Sequence, residues 1–194
     1  MYNVFDKNNY KYAWRDKNVF GVTRQFIKDI KCCYQRITLG YCDRDLWNID
    51  DWFLSLMPEM LIKFNKTRHS FPVLGTEDDD KRWSLILRKI AHLLRESNED
   101  TCSLKNPYEK EYDKALEEFS KTYGVLGRKL LTKEEREKEK KEHVKISHTL
   151  NDVPKYREIV ENYFEYEKKI AKYRSDCKTK AIKLFNKYFW DLWD

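Results

Sequence analysis

The sequence predicts an all-α protein: a compact helical bundle with a long C-terminal helix and a protruding charged helical hairpin. Three observations lead there. Apolar residues recur at spacings of three and four through most of the 194 residues, the period of one helix face. Only 5 Gly and 4 Pro are present, too few for the many tight turns of a sandwich or barrel. Charged residues reach 37% and mean hydropathy is −0.88, but 15% of the chain is Phe, Trp or Tyr. Rings of that size bury enough apolar surface to offset the entropy of ordering, so the chain reads as globular.

Residues 1–19 show no clean period and read as an irregular N-terminal arm. From Val19 to Leu39 the pattern Val22, Phe26, Ile30, Cys33, Ile37 is helical, with Ile27 and Tyr34 widening the stripe. Gly40 stands where a helix ends on a residue with positive φ. A second helix is expected from Asp43 or Asp45, either of which can cap it. Leu46, Ile49, Phe53, Met57, Met60, Leu61 and Phe64 form its buried face, and Pro58 is expected to kink or split it near Leu54. His69–Gly75 reads as a loop. Thr76 is the expected cap of a third helix carrying Trp83, Ile86, Leu87, Ile90 and Leu94. After a loop from Asn98 to Pro107, Tyr108, Tyr112, Ala115, Leu116, Phe119 and Tyr123 mark a shorter helix stopping by Gly124.

Thr132 and Glu135 form a capping-box signature ahead of KEEREKEKKEHVK, a run of mixed charge that suits a solvated helix. Asn151 or Asp152, with Pro154 in the first turn, should open a final helix that runs unbroken to the C-terminus. Ile159, Tyr163, Tyr166, Ile170, Tyr173 and Cys177 give it a coiled-coil-like seam. Its first half is expected to pair with the 132–147 helix or with another subunit, so Tyr163, Tyr166, Ile170 and Tyr173 are the candidate interface residues. The tail LFNKYFWDLWD and the run GYCDRDLWNIDDWF hold four of the six tryptophans. Trp52, Trp83, Trp190 and Trp193 are accordingly expected in the structural core.

The net charge of +6 is spread along the chain without a basic block, so the sequence does not mark a nucleic-acid binder, though that partner class stays open. The five cysteines form an odd set without a C-x-x-C pair and read as free thiols in a reducing cytoplasm. No signal peptide or apolar run of membrane-spanning length is evident, and no membrane partner is expected.

No phosphate-binding loop, dinucleotide fingerprint or zinc spacing occurs, so no catalytic residue, metal ligand or cofactor is assigned. Asp43, Asp45, Asp50 and Asp51 read as helix caps and as ion-pair partners of Arg36 and Arg44. The residues best suited to hold an anionic, nucleotide-type ligand are Arg36, Tyr41, Arg44, Trp47 and His69, where guanidinium groups stand beside aromatic faces.

The segment YQRITLGYCDRDLWNIDDWFLSLMPEML (Tyr34 to Leu61) resembles a group of uncharacterised bacteriophage and prophage proteins. The matching positions are Gln35-Arg36, Gly40-Tyr41, Asp43, Asp45, Trp47, Asp50, Pro58 and Leu61. Ser70-Phe71-Pro72 stands for the group's loop, and Trp83 with Ile86-Leu87 for a further element. LFNKYFWDLWD is similar to its usual C-terminal tail. The resemblance covers about 24–95 and 178–194, while 98–150 departs from it. It implies phage origin and a helical core built from the two matching ends, and carries no activity.

The expected organisation is an arm (1–19), a helical core (20–97 plus 178–194) and a charged helical insertion (98–177). The expected function is non-enzymatic: an accessory protein in the host bacterial cytoplasm that binds a host protein or a small anionic ligand, with counter-defence as one such role. A nucleic-acid-binding factor and a structural phage component are the alternatives. Homo-oligomerisation through the C-terminal helix is a further expectation.

Overall fold

A computed structural model describes residues 19–193, with side chains from Val22 onward. The protein is all-α, with six α-helices and no strand among the described residues. The arm expected over 1–19 lies outside the described residues but for Val19, which opens the first helix. The chain divides into two compact units, Met1–Cys102 with Asp176–Asp194, and Ser103–Ser175.

In the first unit, α1 (Val19–Leu39) ends at Gly40, whose φ of +80° favours a residue without a side chain. A 3-10 turn, Asp45–Asn48, leads into α2 (Ile49–Thr67). Neither Asp43 nor Asp45 caps α2; its N-cap is Asn48, without a side-chain cap bond. Pro58 does not split the helix as expected. Its ring is fully buried where α2 lies along α3, and that packing outweighs the one backbone bond a proline removes. Helix α3 (Asp79–Ser97) starts later than Thr76: Asp78 is the cap, accepting from the Lys81 N–H at 2.9 Å. Asp79 instead ties down the preceding loop by accepting from the N–H groups of Leu74, Gly75 and Thr76.

Leu61, Trp83, Leu87, Ile90, Ala91, Leu94 and Ala181 form the core of this unit, with Phe53, Leu184, Phe185, Tyr188 and Leu192 packed against it. Ala181 to Phe185 belong to α6 (Arg157–Lys187), which spans the boundary between the units and does not run to the C-terminus. It gives way to a 3-10 turn, Phe189–Asp191. That change of pitch decides which tail rings turn inward. Tyr188 meets Trp83 edge-on at 5.5 Å. Trp190 and Trp193, expected in the core, are 84% and 69% exposed. Trp52 is half-buried rather than central.

The second unit contains α4 (Glu109–Tyr123), α5 (Lys133–Glu142) and residues 157–175 of α6. Its core is Ala115, Phe119, Leu150, Tyr156 and Val160. The tyrosine seam is occupied within the chain, and its partner is α4, not the charged segment. Tyr112 stacks on Tyr163 at 4.1 Å, and Tyr108 meets Tyr166 edge-on at 6.3 Å. Ile170 is buried and Tyr173 half-exposed. Asn106 fastens the start of α4, donating to the Tyr163 carbonyl and to Glu167 while accepting from the Tyr108 N–H. Helix α5 carries the expected Thr132–Glu135 capping box but buries no residue, and it stops at His143, which is left-handed at φ +53°.

Gly127 is the tightest point of this unit. At φ +62°, a Cβ there would stand 2.7 Å from the His148 Cβ and 3.1 Å from the Phe119 ring. Left-handed backbone with a side chain costs roughly 1–2 kcal/mol, and the overlap adds to it. Gly127→Ala should therefore lower the stability of the second unit by about 2 kcal/mol or more, read as an earlier midpoint in urea.

His148 stands between two capping carboxylates, with Nε2 3.3 Å from Glu135 and Nδ1 3.6 Å from Asp152. Both carboxyls lie below their ordinary range, chiefly because the N–H groups of Thr132 and Thr149 donate to them. A carboxyl depressed in the folded state contributes stability that is fully present above its unfolded value. That stability disappears as pH falls through the folded value. The melting temperature should stay level from pH 7 to about 5 and fall below about pH 4. Glu135→Gln should flatten that acid limb in a circular-dichroism melt.

Candidate functional site

The expected ligand residues fall on a clasp between α1 and the chain that follows it. After the Gly40 reversal, residues 41–45 run back along the α1 face that carries Gln25, Asp29, Cys32 and Arg36. Arg36 grips Asp45 with two parallel bonds, Nη2 to Oδ1 at 2.6 Å and Nε to Oδ2 at 3.0 Å. The Cys42 N–H also donates to Asp45, at 3.0 Å. Burial raises the Asp45 carboxyl, but these donors outweigh it and hold it below its ordinary range. Arg44 reaches the fully buried Asp29 at 2.9 Å, with Gln25 donating to the same oxygen. Asp43 pairs with Lys31 at 2.7 Å and accepts from Gln35, which together lower its pKa.

Cys32 and Cys42 close the clasp with a disulfide, their Cα atoms 5.1 Å apart. This corrects the expectation that all five cysteines are free thiols; Cys33, Cys102 and Cys177 are. The pair is ten residues apart in sequence. The Gly40 turn brings them into bonding range, which a search for C-x-x-C spacing misses.

Arg36 and Arg44 were expected beside Asp43, Asp45 and Asp50. Arg36 has its partner in that run, whereas Arg44 finds Asp29 upstream on α1. Both guanidinium groups are therefore committed inside the protein. Tyr41 is half-exposed, Trp47 is 89% exposed, and His69 lies on an exposed part of the 69–75 loop. The structure brings Arg36, Tyr41 and Arg44 onto one clasp, and the Trp47 N–H donates to the Arg44 carbonyl at 3.3 Å while its exposed ring stands away from the protein.

The clasp has a consequence for the rest of α1. Its polar face is the packed one, so the apolar stripe expected to be buried faces water. Ile27, Ile30, Tyr34 and Ile37 are all at least half exposed, Ile37 at 84%. At 100° per residue, Arg24, Lys28 and Lys31 line one edge of this stripe. Arg24 and Lys28 are exposed and form no ion pair among the described residues. The result is a basic-edged amphipathic helix with its apolar face outward.

A second feature lies at the tail. Ser70, Phe71, Pro72 and Val73 meet Asp191 and Trp193 around an open cleft of about 270 Å³. A shallower one of about 250 Å³, between Pro58 and Thr101, is bordered by the Glu59–Arg95 ion pair. Among the described residues, no group of three or more His, Cys, Asp or Glu is placed to hold a metal ion. No described helix is long and apolar enough to cross a membrane. No protein family, curated protein or solved structure matches the chain.

Proposed function

We propose that this is a non-enzymatic bacteriophage accessory protein that binds a host protein in the bacterial cytoplasm, in a counter-defence role. The observation that carries the reading is the outward apolar stripe of α1, Ile27, Ile30, Tyr34 and Ile37, edged by Arg24 and Lys28. Such a helix is the recognition element of helix-in-groove binding, in which an apolar face anchors at i, i+3, i+4 and i+7. The basic edge selects a groove bordered by carboxylates. A nucleotide-type ligand at Arg36 and Arg44 is less well supported, because Asp45 and Asp29 already neutralise both groups. In a reducing cytoplasm Cys32 and Cys42 would be thiols; the three ion pairs of the clasp would still hold the loop on α1.

The test replaces stripe residues whose exposure spares the fold. Ile30→Asp and Ile37→Asp should melt like the wild type and lose about tenfold or more in partner affinity. A photo-crosslinker at position 34, used in infected cells, identifies the partner, which is then purified and titrated. Unchanged phage-dependent activity in both variants would overturn the proposal. Steeply salt-dependent binding to DNA or RNA would favour the nucleic-acid alternative, and co-purification with virions the structural one.

A further inference from the structure

We infer that the cleft between the 70–73 loop and the C-terminal tail is a binding site for an organic cation, of the quaternary or methylated ammonium class. Two aromatic residues and one aspartate line it: Phe71, Trp193 and Asp191. Both rings are held partly in the open, with Trp193 more than two-thirds exposed although the same tail buries Tyr188 and Leu192. A ring face carries negative quadrupole charge, so two exposed rings able to turn a face to a ligand beside a carboxylate attract a cation and disfavour an anion.

Two neighbouring basic groups, Arg68 and Lys187, are engaged elsewhere. The Arg68 guanidinium is occupied by the Ser70 carbonyl and by Asp80. Lys187 lies over the Tyr188 ring, 4.9 Å from its centre. No Lys or Arg lines the cleft, and Asp191 has no ion pair among the described residues. A bare ammonium keeps its water shell at such an open site. A methylated one is already weakly hydrated and offers methyl groups to the rings, so it is the better fit. The volume, just below the usual range of small-ligand pockets, suits a headgroup and not a large metabolite.

The chemistry has two sources, a free quaternary amine or a methylated lysine on a protein, and the experiment separates them. The Trp193 indole N–H resonance, assigned by its loss in Trp193→Phe, is followed by NMR in the full chain. Choline, tetramethylammonium and a short trimethyllysine peptide are titrated separately. The neutral isostere of choline, 3,3-dimethylbutan-1-ol, is the control. A saturable shift with at least one of the cations is expected, about tenfold or more weaker with the isostere, and lost in Asp191→Asn. Tighter binding of choline would assign a free amine; tighter binding of the peptide would assign a methylated protein. Phe71→Ala should abolish the response with an unchanged melting temperature. If that variant unfolds, Asp191→Asn carries the test. No saturable shift with any cation, or equal affinity for the isostere, overturns the inference.

Discussion

Replacing Trp83 by alanine is expected to cost about 3–5 kcal/mol, the range for deleting a buried large aromatic. That is a large share of what holds a domain of this size together. Trp83 is 0% exposed and touches the tail through Tyr188, so its loss removes packing between α3 and the chain terminus together. Its indole N–H is buried without a hydrogen-bond partner. Trp83→Phe should therefore cost less than half as much, since it gives up volume but no hydrogen bond. Urea denaturation followed by circular dichroism separates the two. Equal losses for alanine and phenylalanine would show that the indole N–H has a role this geometry does not give it.

Arg44→Ala should be the next most damaging change, at about 3 kcal/mol. It removes the Arg44 charge from beside the fully buried Asp29 carboxylate, and a broken buried pair costs more than the intact pair contributes. Gln25 still donates to Asp29 and moderates the loss. Adding Asp29→Asn to Arg44→Ala should recover part of it, because the charge left behind is then gone. The measurement belongs under reducing conditions, where the Cys32–Cys42 crosslink cannot mask the effect. A variant that keeps its full stability but loses ligand binding would restore Arg44 to the role of an anion receptor.

What the sequence revealed was local. The span of α1 and its Gly40 stop, the end of α4 at Gly124 and the Thr132–Glu135 box depend on residues within a turn or two of each other. The orientation of α1 was not legible. Hydrophobic periodicity identifies a face but not its neighbour, and here ion pairs from the 41–45 loop claim the opposite side. The same limit explains the tyrosine seam: periodicity points to the charged 132–147 helix or another subunit, and the structure pairs it with α4. Trp190 and Trp193 carry the size of core residues, yet the switch from α to 3-10 geometry after Lys187 turns them outward. Of the candidate site, the Arg36–Asp45 pair could be read from spacing within one motif. The Asp29–Arg44 pair could not, because it joins different elements. Nor could the cleft, whose two sides are far apart in the chain and show no pattern in common.

The arrangement of the units along the chain also fixes an order of events during synthesis. Ser103–Ser175 is contiguous and leaves the ribosome whole, so the second unit can form as soon as it emerges. The first unit has to wait: Ala181, Leu184, Phe185 and Tyr188 complete its core, and they follow the whole second unit in the chain. Until then the Trp83–Leu87–Leu94 face of α3 is open to solvent, the condition in which nascent chains recruit chaperones or aggregate. A ribosome that stalls before Ala181 would leave a folded second unit attached to a first unit that cannot close.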